Sequence, residues 1–262
     1  DRALLFSDAL YEVTSIIDGK LIDFDNHMKR LDRSMTELDY PKLLDHKEIR
    51  DFHKALIEKN NLDEGIIYLQ VSRGVAERDF NFPDKMTELT VTAFTQKKDL
   101  VNNKAAEHGI SVMTMDDLRW HRCDIKTVQL LYPSFAKAKA VKEGFDDTWM
   151  IRNGYVTEGT SNNAWIIKGS VIFTRPADNL ILKGITRETV AECAEDLGYK
   201  INFKSFTVTD AQNADEAFIT SATTFVTPVI KINDNKISKG EPGKFTKALR
   251  ERYIQKAREI AI

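Results

Sequence analysis

Three short stretches of this chain carry residue types that suit one kind of chemistry. Lys126 lies in Arg122-Cys123-Asp124-Ile125-Lys126-Thr127. Glu158 follows in Thr157-Glu158-Gly159-Thr160-Ser161-Asn162-Asn163, and Leu182-Lys183-Gly184-Ile185-Thr186-Arg187 comes after it. A lysine amine can condense with an aldehyde and afterwards carry protons. A carboxylate can hold a proton on a ring nitrogen. A glycine-threonine start to a helix offers unpaired backbone N–H groups and the positive end of the helix dipole, which suits a phosphate. Taken singly, each is commonplace: most lysines are solvated, a glutamate at a strand end is ordinary, and Thr186 can be a plain N-cap.

Together, in this order, the three stretches resemble the class IV, fold-type IV, pyridoxal 5'-phosphate-dependent aminotransferases. The wording from Arg122 through Lys126 to Leu131 is closest to the lysine segment of the D-amino-acid aminotransferases, and the resemblance runs from Asp1 to about Lys256. It implies an α+β, two-domain fold with a smaller N-terminal α/β domain and a larger C-terminal pseudo-barrel α/β domain. It implies that Lys126 carries the cofactor as an imine and then acts as acid and base. Glu158 would hold the pyridine nitrogen protonated, so that the ring accepts the electrons released at the substrate Cα. Asn163 closes the same block, and Leu182 matches a leucine that packs on the ring. Ile185 and Thr186 would hold the phosphate. His27-Met28-Lys29-Arg30-Leu31 matches a His-x-x-Arg-Leu block whose arginine, here Arg30, clamps that phosphate. Ser221-Ala222-Thr223-Thr224 matches the turn that completes the phosphate cup. Ala222 stands where the family usually has threonine, which leaves the contact to Ser221, Thr223 or backbone N–H groups. On the substrate side, Tyr11 matches a pocket tyrosine. Arg78 matches the arginine of a carboxylate trap contributed by the neighbouring subunit. That trap usually reads Arg-x-His, and its third position here is Phe80, so one donor is missing.

The function implied is ping-pong transfer of an amino group from a D-amino acid, such as D-alanine, to a 2-oxo acid such as 2-oxoglutarate. The implied assembly is a cytoplasmic homodimer with shared active sites. Three alternatives share fold and cofactor: a branched-chain L-amino-acid aminotransferase, an (R)-amine transaminase and an aminodeoxychorismate lyase. A non-enzymatic α+β binding module with a coincidental lysine is the alternative of a different class.

Composition narrows the field independently. The 262 residues suit two modest domains or one large one, and 42% hydrophobic with 30% charged content suits a chain with a buried core. A net charge of -2, without a basic stripe, argues against nucleic acid. No apolar stretch approaches the length of a membrane span. Cys123 and Cys193 are too few for a disulfide framework, and a reducing cytosol follows. No CxxC or HExxH spacing occurs, so no metal site is expected. The five histidines (His27, His46, His53, His108, His121) are scattered, and most are read as surface residues. The chain starts at Asp1-Arg2, which resembles a dipeptide that class IV enzymes carry after their first strands. An N-terminal piece is therefore expected to precede it.

The elements that must position these residues are legible as patterns. Ala9 to Ile17 is apolar and β-branched, and Gly19 turns it back through Leu21 and Ile22 as a hairpin. Asp25 is placed as the N-cap of a helix carrying Met28, Leu31, Met35 and Leu38. Ile49, Phe52 and Leu56 mark a second helix, and residues 65–72 and 87–95 read as strands. Residues 1–98 form the expected small domain, 99–106 its linker, and 107–262 the cofactor-binding domain. In the latter, 110–114 reads as a strand and 134–143 as a helix. Asn153-Gly154 within 149–158 signals a hairpin, and 164–174 turns again at Gly169. Thr186 starts a helix closed by Gly198. A strand at 216–220 and a helix at 244–256 complete the chain.

Overall fold

The computed structural model describes residues 1–262 and contains two compact units. The first comprises Asp1–Asp99, Ile125–Leu130 and Ile260–Ile262, and the second Leu100–Asp124 and Leu131–Glu259. The segment Ile125–Leu130, with Lys126, therefore groups with the first unit rather than with the C-terminal half expected to hold it. Backbone pairing is the reason. The Tyr11 N–H donates to the Lys126 carbonyl at 3.0 Å, and the Val128 N–H donates to the Ala9 carbonyl at 3.0 Å. The stretch 99–106, expected as a linker, is ordered too. Leu100 is fully buried, and residues Lys104–His108 are helical behind an Asn103 side-chain cap.

The first unit contains α1 (Arg2–Phe6), β1 (Ala9–Ile17), β2 (Lys20–Leu21), α2 (Phe24–Glu37), α3 (His46–Asn60), β3 (Gly65–Ser72) and β4 (Thr90–Lys97). Its four-stranded sheet has the order β2-β1-β3-β4, antiparallel throughout. Successive side chains of β1 point to opposite faces. Leu10 and Ile16 join Met28, Leu31 and Met35 of α2 in the core. Glu12 lies on that same face, whereas Tyr11 lies on the other. The α2 N-cap is Asp23, two residues before the expected Asp25. Asp23 takes a left-handed conformation (φ 54°), and its carbonyl accepts the His27 N–H at 3.1 Å. Two of the five histidines are interior, and the other three are not buried. His27 is buried beside Glu12, and His53 is buried with its Nδ1 2.8 Å from the Ile49 carbonyl.

The second unit contains α4 (Lys104–His108), β5 (Ile110–Asp116), α5 (Leu131–Lys142), β6 (Asp147–Arg152), β7 (Tyr155–Gly159), β8 (Asn163–Lys168) and β9 (Val171–Thr174). It continues through α6 (Ile185–Asp196), β10 (Lys200–Phe203), α7 (Val208–Gln212), β11 (Glu216–Ser221), β12 (Phe225–Ile232), β13 (Asn235–Lys236) and α8 (Lys244–Ile260). The sheet order is β10-β9-β8-β11-β12-β5-β6-β7, with β13 beside β12. A tight corner, with the Gly159 N–H on the Asn162 carbonyl at 2.8 Å, joins edge strand β7 to interior strand β8. The sheet thus curls back on itself as a half-barrel. Trp149, Val156, Ile166, Ile219, Val229 and Phe206 belong to one core layer. On β11, alternation sends Phe218 to the opposite face, where its ring stacks on Trp165 at 5.4 Å. The hairpin at Asn153-Gly154 forms as its left-handed φ values (54° and 81°) require. Strand β12 had no counterpart in the sequence reading; it carries Pro228, a residue that ordinarily demotes a strand. No helix is long and apolar enough to cross a membrane.

Candidate functional site

Lys126 is half-buried in the first unit, and its Nζ lies 4.2 Å from the centroid of the Tyr11 ring. Tyr11 stacks on Tyr68 at 5.4 Å, and Tyr68 stacks on Phe94 at 4.9 Å. The amine therefore sits at the end of an aromatic row crossing β1, β3 and β4. Tyr68 and Phe94 were not singled out from sequence; their cross-strand proximity depends on sheet register, which no local pattern reveals. The row also affects titration. Burial, followed by the Tyr11 phenol, pushes the Tyr68 hydroxyl up to about 12.

On the opposite face of β1, Arg30 is anchored. Its Nε donates to Glu12 Oε1 at 2.8 Å and its Nη2 to Glu12 Oε2 at 2.6 Å. The Nδ1 of His27 lies 2.7 Å from the same Oε2. The bidentate pair fixes the plane of the guanidinium. Burial alone would raise the Glu12 carboxyl, but Arg30 and His27 outweigh it and hold the group at about 2.

In the second unit, Glu158 is the penultimate residue of β7 and is buried. Arg119 Nη1 donates to its Oε1 at 2.6 Å and Asn163 Nδ2 to its Oε2 at 3.0 Å. The Leu182 N–H points at both oxygens at 3.1–3.2 Å. Asn163 Nδ2 also donates to the Leu182 carbonyl at 2.8 Å, so Asn163 and Leu182 hold Glu158 and each other. Burial raises the Glu158 carboxyl above the ordinary value, with Arg119 opposing that rise. Arg119 is a residue the sequence reading missed. Its only sequence signal is the Asp-x-Arg spacing with Asp117, which takes Arg119 Nε at 2.9 Å and Nη2 at 2.8 Å.

The start of α6 lies against this carboxylate pocket. The N-cap is Gly184, not Thr186, and it makes no side-chain capping bond. A Cβ on Gly184 would come within 2.4 Å of Asn163 Oδ1, so only glycine allows the helix this close. The Ile185 and Thr186 N–H groups fall among the first four of the helix, which lack intrahelical partners. Asn163 pairs with Thr220 across β8 and β11, which brings the following Ser221 turn to the same end of the sheet. Ser221 Oγ lies 3.2 Å from Thr223 Oγ1 and 2.9 Å from Thr224 Oγ1. Arg250 braces the turn by donating to the Thr224 and Val226 carbonyls, both at 2.8 Å. Ala222 lies in this turn without a side-chain hydroxyl. The donor set fits a phosphorylated pyridine: a buried acceptor for a ring N–H, and beside it an uncapped helix start with a hydroxyl turn.

Arg78 and Phe80 lie on an exposed loop of the first unit. The Arg78 guanidinium is 5.3 Å from the Phe6 ring and 5.8 Å from that of Phe80, which is 82% exposed. The ring at position 80 stacks with Arg78 and offers no polar donor.

The model of the amino-transferase class IV family matches residues 9–232. A D-alanine aminotransferase of Bacillus licheniformis is 40% identical over 250 residues, covering 94% of this chain and 87% of that protein. The D-alanine aminotransferase of Staphylococcus aureus strain MSSA476 is 37% identical over 258 residues, covering 97% and 91%. Among solved structures, a branched-chain amino acid aminotransferase from Escherichia coli superposes with a TM-score of 0.90 at 22% identity, over 98% of this chain and 88% of that one. A putative 4-amino-4-deoxychorismate lyase from Legionella pneumophila gives 0.88 at 22%, over 97% and 93%. At that identity the two structures speak to the fold.

The Glu12 cluster sets a pH dependence. Its carboxyl is depressed in the folded protein, so it stabilises the fold above the unfolded value near 4.5. That contribution is lost as pH falls through the window from about 4.5 to about 2. The Glu12→Gln variant should lose on the order of 3 kcal/mol at neutral pH. Chemical denaturation as a function of pH should show its acid limb flattened across that window. An unchanged limb would mean that the triad contributes nothing.

Proposed function

The chain belongs to the class IV aminotransferases, and from that premise we propose that it transfers the amino group of a D-amino acid, such as D-alanine, to a 2-oxo acid. It is a pyridoxal phosphate-dependent enzyme. The observation that carries the site assignment is Glu158: a buried carboxylate with three protein donors, beside an uncapped helix start. In this reading Glu158 keeps a proton on the ring nitrogen of the cofactor. The N–H groups of Ile185 and Thr186, the Ser221-Ala222 turn and Arg30 hold its phosphate, and Leu182 lies against the ring. Lys126 attaches its aldehyde. When bound, the cofactor supplies an electron sink for the substrate Cα. The Lys126 amine would serve as the acid and base for the proton of that carbon, a role that needs the amine placed but mobile. The Tyr11 ring lies against this amine, its centroid 4.2 Å from Nζ.

Preference for D-amino acids is supported by relatives at 37–40% identity over nearly the whole chain, which are D-alanine aminotransferases. The branched-chain enzymes share the fold at about half that identity. Borohydride reduction of the cofactor-loaded protein should leave the pyridoxyl group on the peptide containing Lys126. D-alanine should convert the bound cofactor, followed by absorbance, faster than L-leucine does. A label on another lysine would remove Lys126 from its role, and faster conversion by L-leucine would favour the branched-chain alternative.

Arg78 is proposed as the carboxylate contact, with Phe80 in place of a second donor. The missing hydrogen bond to a charged group corresponds to about 1.5–3 kcal/mol. Phe80→His should therefore lower KM for D-alanine by roughly tenfold or more, and an unchanged KM would place the carboxylate elsewhere.

We further propose a homodimer in a reducing, cytoplasmic setting, with Arg78 serving the partner's site. Its loop and α1 expose Leu4, Val75, Phe80 and Met86, an apolar surface of the kind that marks interfaces. Both cysteines are free and buried, as suits a reducing compartment. Mixing Lys126→Ala chains with Arg78→Ala chains should restore activity through hybrid sites. Absence of rescue after demonstrated subunit exchange would argue for self-contained sites.

A further inference from the structure

Behind Glu158 runs a line of alternating buried charges. Arg152 Nη2 lies 3.1 Å from Asp117 Oδ1, Asp117 takes Arg119, and Arg119 Nη1 reaches Glu158. Asp117 is saturated, since Thr157 Oγ1 donates to its Oδ2 at 2.8 Å and the Arg119 N–H to its Oδ1 at 3.1 Å. Arg119 gives Nε and Nη2 to Asp117, leaving Nη1 directed at Glu158. A guanidinium gripped on two nitrogens cannot turn its third away, and a planar fork is suited to such a bridge.

Resting on the reading of Glu158 as the acceptor for a ring N–H, we propose that Arg119 is the positioning residue that keeps this buried carboxylate ionised and aimed, and that Asp117 is its counterweight, limiting how strongly Arg119 drains it. The logic is electrostatic. A carboxylate out of water favours its neutral form, and a cation in contact opposes that preference, as Arg119 opposes the rise that burial imposes on Glu158. An acceptor that became a neutral acid would hold a pyridinium proton poorly. An acceptor paired with an uncompensated guanidinium would be too weak a base to hold one. With Asp117 sharing the charge of Arg119, the carboxylate lies between these limits. The other charged or titratable groups acting on this cluster are Arg152, Arg187 at the start of α6, Cys123, and Tyr132, whose hydroxyl is raised first by burial and then by Asp117. Burial pushes the Cys123 thiol up to about 11, so it stays neutral near neutral pH, and its Sγ donates to the Trp120 carbonyl at 3.1 Å.

The proposal predicts opposite responses to two substitutions. The Glu158 carboxyl can be titrated by carbon NMR on the full-length, cofactor-free chain, its signal assigned by loss in Glu158→Gln. Arg119→Met should move the titration to higher pH by about one unit or more. Arg119→Lys should restore much of the difference. Asp117→Asn retains an oxygen for Arg119 but removes the opposing charge, so it should move the titration to lower pH. In the cofactor-loaded protein, Arg119→Met should lower kcat for D-alanine more than it raises KM. General loosening of the pocket would move both variants in one direction, and that result, or no movement with Arg119→Met, overturns the proposal. Near-normal turnover by Glu158→Gln would overturn the reading of Glu158 itself while leaving the titration result intact.

Discussion

The buried carboxylate of Glu158 is the constraint on which the second unit's site depends. An ionised group out of water is tolerated only when its lone pairs are met. Here the donors come from three separate pieces of chain: Arg119 after β5, Asn163 at the start of β8, and the Leu182 N–H before α6. Satisfying one glutamate therefore fixes the tight β7–β8 corner and the approach of α6. Gly184 completes the arrangement by letting the helix start lie against Asn163, where any side chain would collide.

The first unit applies the same principle with different groups. Glu12 is buried on the helix side of β1 and is met by Arg30 and His27 from successive turns of α2. The adjacent Tyr11 faces the other way and meets the Lys126 amine. One strand thus places two of the candidate groups through the period-2 alternation of its side chains. A one-residue slip of β1 would exchange the two faces and lose both contacts, which the long β1–β3 register prevents.

Charge is handled inside the protein in short alternating runs. Arg2 and Arg73 share Asp8, as Arg119 and Arg152 share Asp117. In the first run both guanidinium groups also reach loop carbonyls, Arg2 at Asp79 and Arg73 at Leu38 and Asp39, and in the second Arg119 reaches Glu158. Such runs cost desolvation and return fixed geometry. The exposed loop bearing Arg78 differs: its arginine rests on the Phe6 and Phe80 rings and is not held by an acid in this way.

Much of this was readable in the sequence because it rests on local order. The Asn153-Gly154 turn, the helical spacing of Met28, Leu31 and Met35, and the motifs around Lys126, Glu158 and Gly184 each depend on neighbours within a few residues. Their wording alone points to the family and its cofactor. The tertiary structure decided what depends on distant pieces of chain. Lys126 joins the first unit because its backbone pairs with β1, more than a hundred residues earlier. Tyr68 and Phe94 reach Tyr11 only through sheet register, and His27 and His53 are interior because of what packs over their helices. Strand β12 forms despite Pro228 because β11 and β5 flank it on both sides. Arg119 acquires its place only when a residue 39 positions away folds against it. Sequence patterns report periodicity and turn chemistry, whereas burial and charge pairing are set by which segments meet.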